Sequence, residues 1–220
     1  GEAMAAAPLI VRLQQHNPQD LILVTTTTPS GFSWLAKRFG NSIIHAFLPY
    51  DYPRAMQRFF EHFRPKIGIL IETELWPNLL TQANQRHIPM FLVNGRLSPR
   101  ALSRYRYSGQ LTAKMLTQLQ HALVQSAPIA TRFQQLGLPA KKTTVTGNLK
   151  FCQLLPDNLA TQHQRWRRIL GETPCWVAAS THPGEEQSVL KAHQQVLTTL
   201  PQCKLILAPR HPERCHKLLS

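Results

Sequence analysis

Apolar runs of strand length recur along the whole chain, and they do not alternate apolar with polar residues. They are Leu21–Thr25, Ile43–Phe47, Ile67–Ile71, Met90–Val93, Ala122–Val124, Thr143–Thr146, Val177–Ala179 and Leu205–Ala208. A strand that is apolar on both faces has to be covered on both faces. That is the condition of a parallel sheet flanked by helices. Segments of helical pattern fill the intervals: Ala3–Gln15, Phe32–Phe39, Pro53–Phe63, Pro77–Arg86, Ala127–Leu136, Leu159–Leu170, Gly184–Leu200 and Pro212–Leu219. Proline near several first turns, and Gly137 and Gly171 at helix ends, suit these boundaries. The order is repeated βα, which predicts an α/β fold with doubly wound parallel sheets.

The chain has 220 residues, enough for one domain and part of another. The expected seam is Gly147–Asp157, giving an N-terminal domain over 1–150 and the start of a second over 151–220. Only two strands follow the seam, so the second domain is expected to be truncated. The chain opens Gly1-Glu2-Ala3-Met4 and is read as a fragment whose upstream strand, and any membrane anchor, lies outside it. No run of 18 apolar residues is present to span a bilayer.

In open α/β sheets, ligands bind beyond the carboxyl ends of the strands. Polar clusters stand there: Glu72-Thr73-Glu74-Leu75-Trp76-Pro77-Asn78, Asn94-Gly95-Arg96-Leu97-Ser98-Pro99-Arg100, Gly147-Asn148-Leu149-Lys150-Phe151, Ser180-Thr181-His182-Pro183-Gly184-Glu185-Glu186 and Pro209-Arg210-His211-Pro212-Glu213-Arg214. Together they predict a binding cleft. The segment from Ser180 leads into a helix, whose free N–H groups and dipole can hold an anion. The plainer alternative is a helix cap on Ser180 or Thr181. Arg210 and His211 can reach the same phosphate, or simply carry surface charge. Thr25–Thr28 with Pro29-Ser30-Gly31 suits a phosphate or sugar, or is a polar turn. Glu72 and Glu74 follow a buried strand, where a carboxylate is costly unless solvated or paired. Trp76 offers an apolar wall that can raise a carboxyl pKa. Glu2 opens a helix, where an acid complements the dipole whether or not it is catalytic.

Lys and Arg total 25 against 11 Asp and Glu, a net charge of +14. Such a surplus fits nucleic acid, an anionic membrane or anionic small substrates. Lys37, Arg38, Arg54, Arg58 and Arg64 are candidates for a membrane-facing surface. The four cysteines, Cys152, Cys175, Cys203 and Cys215, form no CxxC pair. They argue against a zinc site or a disulfide scaffold and read as reduced thiols. Cys175 and Cys203, at the starts of apolar runs, read as packing residues.

Gly1-Glu2, TTTTPSG, ETELWPN, NGRLSPRA, TGNLKF, ASTHPGEE and LAPRHPER occur in this order along nearly the whole chain. Together they resemble the 3-deoxy-D-manno-octulosonic acid (Kdo) transferases. The resemblance implies a GT-B glycosyltransferase of two Rossmann-like domains, an acceptor-binding one and a nucleotide-sugar-binding one, with the site between them. It implies inverting transfer of Kdo from CMP-Kdo to the phosphorylated lipid A precursor at the cytoplasmic face of a bacterial inner membrane, with no metal and no cofactor. By the matching motif Glu2 is the general base, kept ionised by a helix dipole that lowers its pKa. The second essential acid is Glu74, or else Glu72. Lys150, Ser180, Thr181, His182, Arg210 and His211 fall on the donor side, where cations and N–H dipoles stabilise the departing phosphate. Thr28, Ser30, Gly31 and Arg96 fall on the acceptor side. Three rival readings remain: another GT-B sugar-nucleotide enzyme, such as an epimerase; a non-catalytic membrane scaffold; and a nucleic-acid-binding protein using Arg100, Arg104, Tyr105, Arg106 and Tyr107.

Overall fold

A computed structural model describes residues 2–152 and 158–218. The chain divides into two compact units, Gly1–Leu154 and Leu155–Ser220. Residues 153–157 of the expected seam lie outside the described residues, as does Leu219 of the last expected helix.

The first unit runs α1 (Glu2–His16), β1 (Leu23–Thr26), α2 (Pro29–Phe39), β2 (Ile44–Phe47), α3 (Pro53–Phe63), β3 (Gly68–Ile71) and α4 (Pro77–Gln85). It continues with β4 (Met90–Gly95), α5 (Pro99–Tyr107), α6 (Gly109–Gln118), β5 (His121–Val124), α7 (Ala127–Gln135) and β6 (Thr143–Val145). Strands β3, β4, β5 and β6 form one parallel sheet in that order, and β1 pairs in parallel with β2. The second unit holds α8 (Leu159–Leu170), β7 (Cys175–Thr181), α9 (Glu185–Thr199), β8 (Lys204–Pro209) and α10 (Cys215–Leu218), with β7 and β8 parallel. All the strands predicted from apolar runs are present, and the fold is α/β with parallel, Rossmann-like sheets.

Two helices were not foreseen. The stretch after Asn94 read as a polar loop, yet Ser98 caps α5 by accepting the N–H of Ala101 at 3.1 Å, and Pro99 opens its first turn. Helix α6 follows directly and buries Thr112, Met115 and Leu116. The last expected helix is instead a 3-10 turn, Pro212–Arg214, followed by the short α10. Cys203 is buried as expected, but Cys175 is exposed because β7 presents alternate residues to water.

The main core lies where the four-stranded sheet meets α3, α4, α6 and α7. Leu80, Leu92, Leu116, Ala122, Val124 and Phe133 are fully buried there. A smaller core joins Ala6 and Ile10 of α1 to Leu35 of α2 and Ile43, and both Val24 of β1 and Ile71 of β3 pack against it. Helix α1 therefore spans the neighbourhood of both sheets, which fixes where its first residue stands.

Helix α4 carries the end of the ETELWPN motif and has no capping side chain of its own. Its orphan N–H groups at Asn78 and Leu79 donate instead to the carboxylate of Asp51, at 3.0 and 2.9 Å. The Asn78 side chain returns the contact by donating to the Asp51 carbonyl at 2.6 Å. A carboxylate at a helix N-terminus satisfies orphan donors and complements the dipole. Asp51→Ala is expected to lower stability by about 1–2 kcal/mol in thermal unfolding, with Asp51→Asn keeping part of it. No change would mean that water replaces the carboxylate without loss.

Candidate functional site

Three backbone outliers mark the strand ends. Glu72, Asn94 and Ser180 have φ of 63°, 57° and 61°. Left-handed conformations are uncommon outside glycine and collect where geometry is constrained by function. Each stands in one of the polar motifs.

Glu72 donates its N–H to the Val93 carbonyl at 3.0 Å, the last rung beyond β3, and the chain then turns. The residue is 7% exposed, and its carboxylate meets the Arg96 guanidinium at 3.4 Å. A buried carboxylate needs such a partner. The Thr73 hydroxyl donates to the Arg96 carbonyl, so the loops after β3 and β4 are tied twice. Glu74 is half-buried, and its Oε2 accepts the indole N–H of Trp76 at 2.8 Å. Trp76 thus meets Glu74 through a polar donor, not only as an apolar wall. The Glu74 charge also reaches Tyr105 on α5, whose phenol is raised first by burial and then by Glu74.

Glu2 completes the cluster from the first turn of α1. Its carboxyl is raised above the usual 4.5 by partial burial, then by the charges of Glu74 and Glu72, with Arg96 opposing. This corrects the expectation that the helix dipole would hold it low. Two like charges and lost hydration outweigh a dipole whose effect fades within one turn. Three acids and one arginine therefore share one electrostatic neighbourhood. A base raised towards neutral pH accepts a proton more readily than an ordinary carboxylate.

Asn94 joins a further motif to this edge. It is 1% exposed, and its Oδ1 accepts from Gln125 Nε2 at 3.1 Å and from the Leu149 N–H at 3.0 Å. The 3-10 turn Leu149–Cys152, which carries the exposed Lys150, is thereby fastened to the end of β4 and packs on α1. Thr28, Ser30 and Gly31 lie at the carboxyl end of β1. Thr28 caps α2, accepting the Gly31 N–H at 3.2 Å, with the Ser30 hydroxyl 3.5 Å away. Among the described residues, none of the three shares a hydrogen bond or ion pair with the acids.

In the second unit the donor-side candidates come together at the ends of β7 and β8. The Arg210 N–H donates to the Thr181 carbonyl at 3.1 Å, while His211 stands 3.6 Å from Glu213. Neither Ser180 nor Thr181 caps α9. The cap position is Gly184, and the Glu185 carboxylate reaches back to accept the His182 N–H at 2.7 Å. The Thr181 side chain turns inward instead, donating to Glu186 at 2.9 Å. Arg214 Nη1 lies 3.0 Å from the same Glu186 oxygen and 3.3 Å from the Thr181 carbonyl. The Arg214 hydrogen bond is the main reason that the Glu186 carboxyl is depressed to about 2. Glu186 and Arg214 were visible in their motifs but had no assigned role, because their pairing depends on two strands lying side by side. Asn94, Asp51 and Tyr105 likewise act on groups far along the chain, so those contacts were not legible in the sequence.

The description "3-Deoxy-D-manno-octulosonic-acid transferase (kdotransferase)" belongs to the family model that matches residues 1–153. A 3-deoxy-D-manno-octulosonic acid transferase of Haemophilus influenzae is 40% identical over 97% of this chain and 50% of its own length. A probable mitochondrial counterpart of Arabidopsis thaliana is 34% identical over 99% of this chain and 51% of its own. The chain thus spans about half the length of the curated relatives it matches. Among solved structures, the UDP-GlcNAc 2-epimerases of Neisseria meningitidis and Methanocaldococcus jannaschii superpose with TM-scores of 0.65 and 0.62. They share 14% and 11% identity, covering 94% and 99% of this chain and 62% and 66% of theirs, which speaks for the GT-B fold alone. With the family model matching residues 1–153 of the 220, this chain belongs to the 3-deoxy-D-manno-octulosonic acid transferase family.

Proposed function

We propose that the whole protein transfers Kdo from CMP-Kdo to the phosphorylated lipid A precursor with inversion, at the cytoplasmic face of a bacterial inner membrane. The observation that carries this reading is the cluster of Glu2, Glu72, Glu74 and Arg96, built from the family's own motifs. An acceptor hydroxyl attacks the anomeric carbon of Kdo, and Glu2 takes its proton. The bond from that carbon to the CMP phosphate oxygen breaks, and the electron pair leaves with CMP. Glu74, held by Trp76, is the second acid facing the reaction. Glu72, paired to Arg96, orients the loop between them. On the donor side, Lys150, Ser180, His182, Arg210 and His211 supply cations and donors to the phosphate. Thr181 acts from beneath them through Glu186. Thr28, Ser30, Gly31 and Arg96 serve the acceptor.

The charge of +14 suits an anionic donor, a phosphorylated acceptor and an anionic leaflet. Among the described residues no helix is long and apolar enough to cross a membrane. The test is incubation of the full-length protein with labelled CMP-Kdo and the lipid precursor. Label is expected in the lipid phase, with CMP inhibiting at least tenfold better than UDP. Preferential inhibition by UDP would favour an epimerase-like enzyme instead.

A further inference from the structure

Strand β4 does not stay in step with β5. Leu92 stands opposite Ala122 and Gly95 opposite Val124, so three steps along β4 answer two along β5. The surplus residue makes a β-bulge, which re-aims a side chain at the rim of a sheet and is common beside active sites. Asn94 lies within it, at φ 57°. Asparagine is one of the few residues besides glycine that take this conformation readily. The bulge is pinned on either side, by the Glu72 N–H on the Val93 carbonyl and the Gln125 N–H on the Gly95 carbonyl, both at 3.0 Å. Gln125 Nε2 also donates to the Asn94 carbonyl at 3.2 Å. The re-aimed side chain has one working end. Its Oδ1 accepts from Gln125 Nε2 and from the Leu149 N–H. Its Nδ2 is buried and, among the described residues, has no partner. An idle buried donor is a cost. The position is therefore held for a neutral acceptor on a left-handed backbone. Aspartate would supply that acceptor only by adding a charge beside Glu72.

The turn that Asn94 reaches has little else to fix it. Strand β6 makes its last rung at Thr146, whose N–H meets the Val124 carbonyl at 2.9 Å. Gly147 follows at φ 84°, and Asn148 closes on its own neighbour, its Oδ1 accepting the Lys150 N–H at 3.0 Å. Among the described residues, the bond from Leu149 to Asn94 is the turn's one hydrogen bond to the rest of the first unit. We propose that Asn94 is a positioning residue of the transfer reaction. Through Leu149 it sets the Lys150 ammonium against α1, the helix that opens with Glu2, where it meets the phosphate of the donor. The base and one phosphate-binding cation are thereby carried by the same compact unit. The proposal rests on the reading of Lys150 as a donor-side group.

In the full-length protein, Asn94→Gly keeps the left-handed backbone and removes the oxygen. Its kcat/KM for CMP-Kdo is expected to fall about 10–100-fold, the scale of a misplaced binding group. Lys150→Ala is expected to fall at least as far. The double variant is expected to match Lys150→Ala, because Asn94 acts through Lys150. A merely structural residue would lower the wild-type and Lys150→Ala rates by the same factor, and that result would overturn the proposal. Hydrogen exchange gives a readout that needs no substrate. In Asn94→Gly the Leu149 N–H is expected to exchange about tenfold faster, while β4 and β5 keep their protection. Unchanged exchange at Leu149 would sink Asn94 as the anchor and leave the transfer reading intact. Lost protection throughout β4 and β5 would mark a residue that only holds the sheet, and would overturn the proposal too. Faster exchange at Leu149 with Lys150→Ala at the wild-type rate would sink the donor role of Lys150, and with it that of Asn94. A wild-type protein that transfers no Kdo would sink the activity, while exchange at Leu149 would still judge the anchor.

Discussion

Replacing Glu2 by glutamine in the full-length protein is expected to lower the rate of Kdo transfer by about 10²–10⁴-fold, the usual contribution of a positioned general base. Binding of CMP is expected to change little, since glutamine keeps the size of the side chain and Glu2 is not a donor-side group. Loss of nucleotide binding together with turnover would point to misfolding instead, and unchanged turnover would remove Glu2 as the base. The pH profile supplies an independent check. The base works only when deprotonated, so kcat/KM rises with pH through the Glu2 pKa. Burial and the charges of Glu74 and Glu72 raise that pKa, so the acidic limb is expected above the ordinary carboxylate range. Glu74→Gln removes one of the charges and should move the limb to lower pH, whatever it does to the maximal rate. Arg96→Gln removes the opposing cation and should move it to higher pH. A limb that ignores both substitutions would belong to some other group.

Removing Arg214 by substitution with alanine is expected to lower kcat/KM for the nucleotide-sugar on the order of 10²-fold, the scale of a small misplacement of binding groups. Arg214 holds Glu186 at 3.0 Å and the Thr181 carbonyl at 3.3 Å, so it joins the loop after β7 to the turn after β8. Its role is positioning, and the effect should fall on KM for the donor more than on kcat. Arg214→Lys restores a charge without the planar guanidinium whose Nη1 meets both partners, and should recover only part of the loss. Stability adds a second signature. Glu186 is depressed from 4.5 to about 2, so its contribution is complete above pH 4.5 and is lost as pH falls from there through about 2. Without Arg214 the largest cause of that depression is gone, and acid unfolding of the second unit is expected at higher pH. An unchanged acid midpoint with unchanged donor KM would show that the ion pair holds nothing in place.

Both outcomes bear on how the sequence encodes the site. Parallel strands buried on both faces appear as continuous apolar runs, so Met90–Val93 or Ala122–Val124 could be placed without knowing their neighbours. Loops at strand ends are local as well, so the positions of Glu72, Glu74, Ser180 and Arg210 followed once the strands were set. The helices after Pro99 were hidden because Arg100, Arg104 and Arg106 mask a weak apolar face, and their stability comes from packing rather than propensity.

By itself the sequence determined the order of the strands and of most of the helices, and which polar residues stand at strand ends, because these depend on neighbours along the chain. Only the tertiary structure decided what those residues meet. It set Arg96 against Glu72, Arg214 against Glu186 and Asp51 on the start of α4, and it turned Asn94 into a left-handed hub. It also reversed the sense of the Glu2 pKa. Charge and burial act through space, and their balance exists only once residues far apart in the chain are held within a few ångströms.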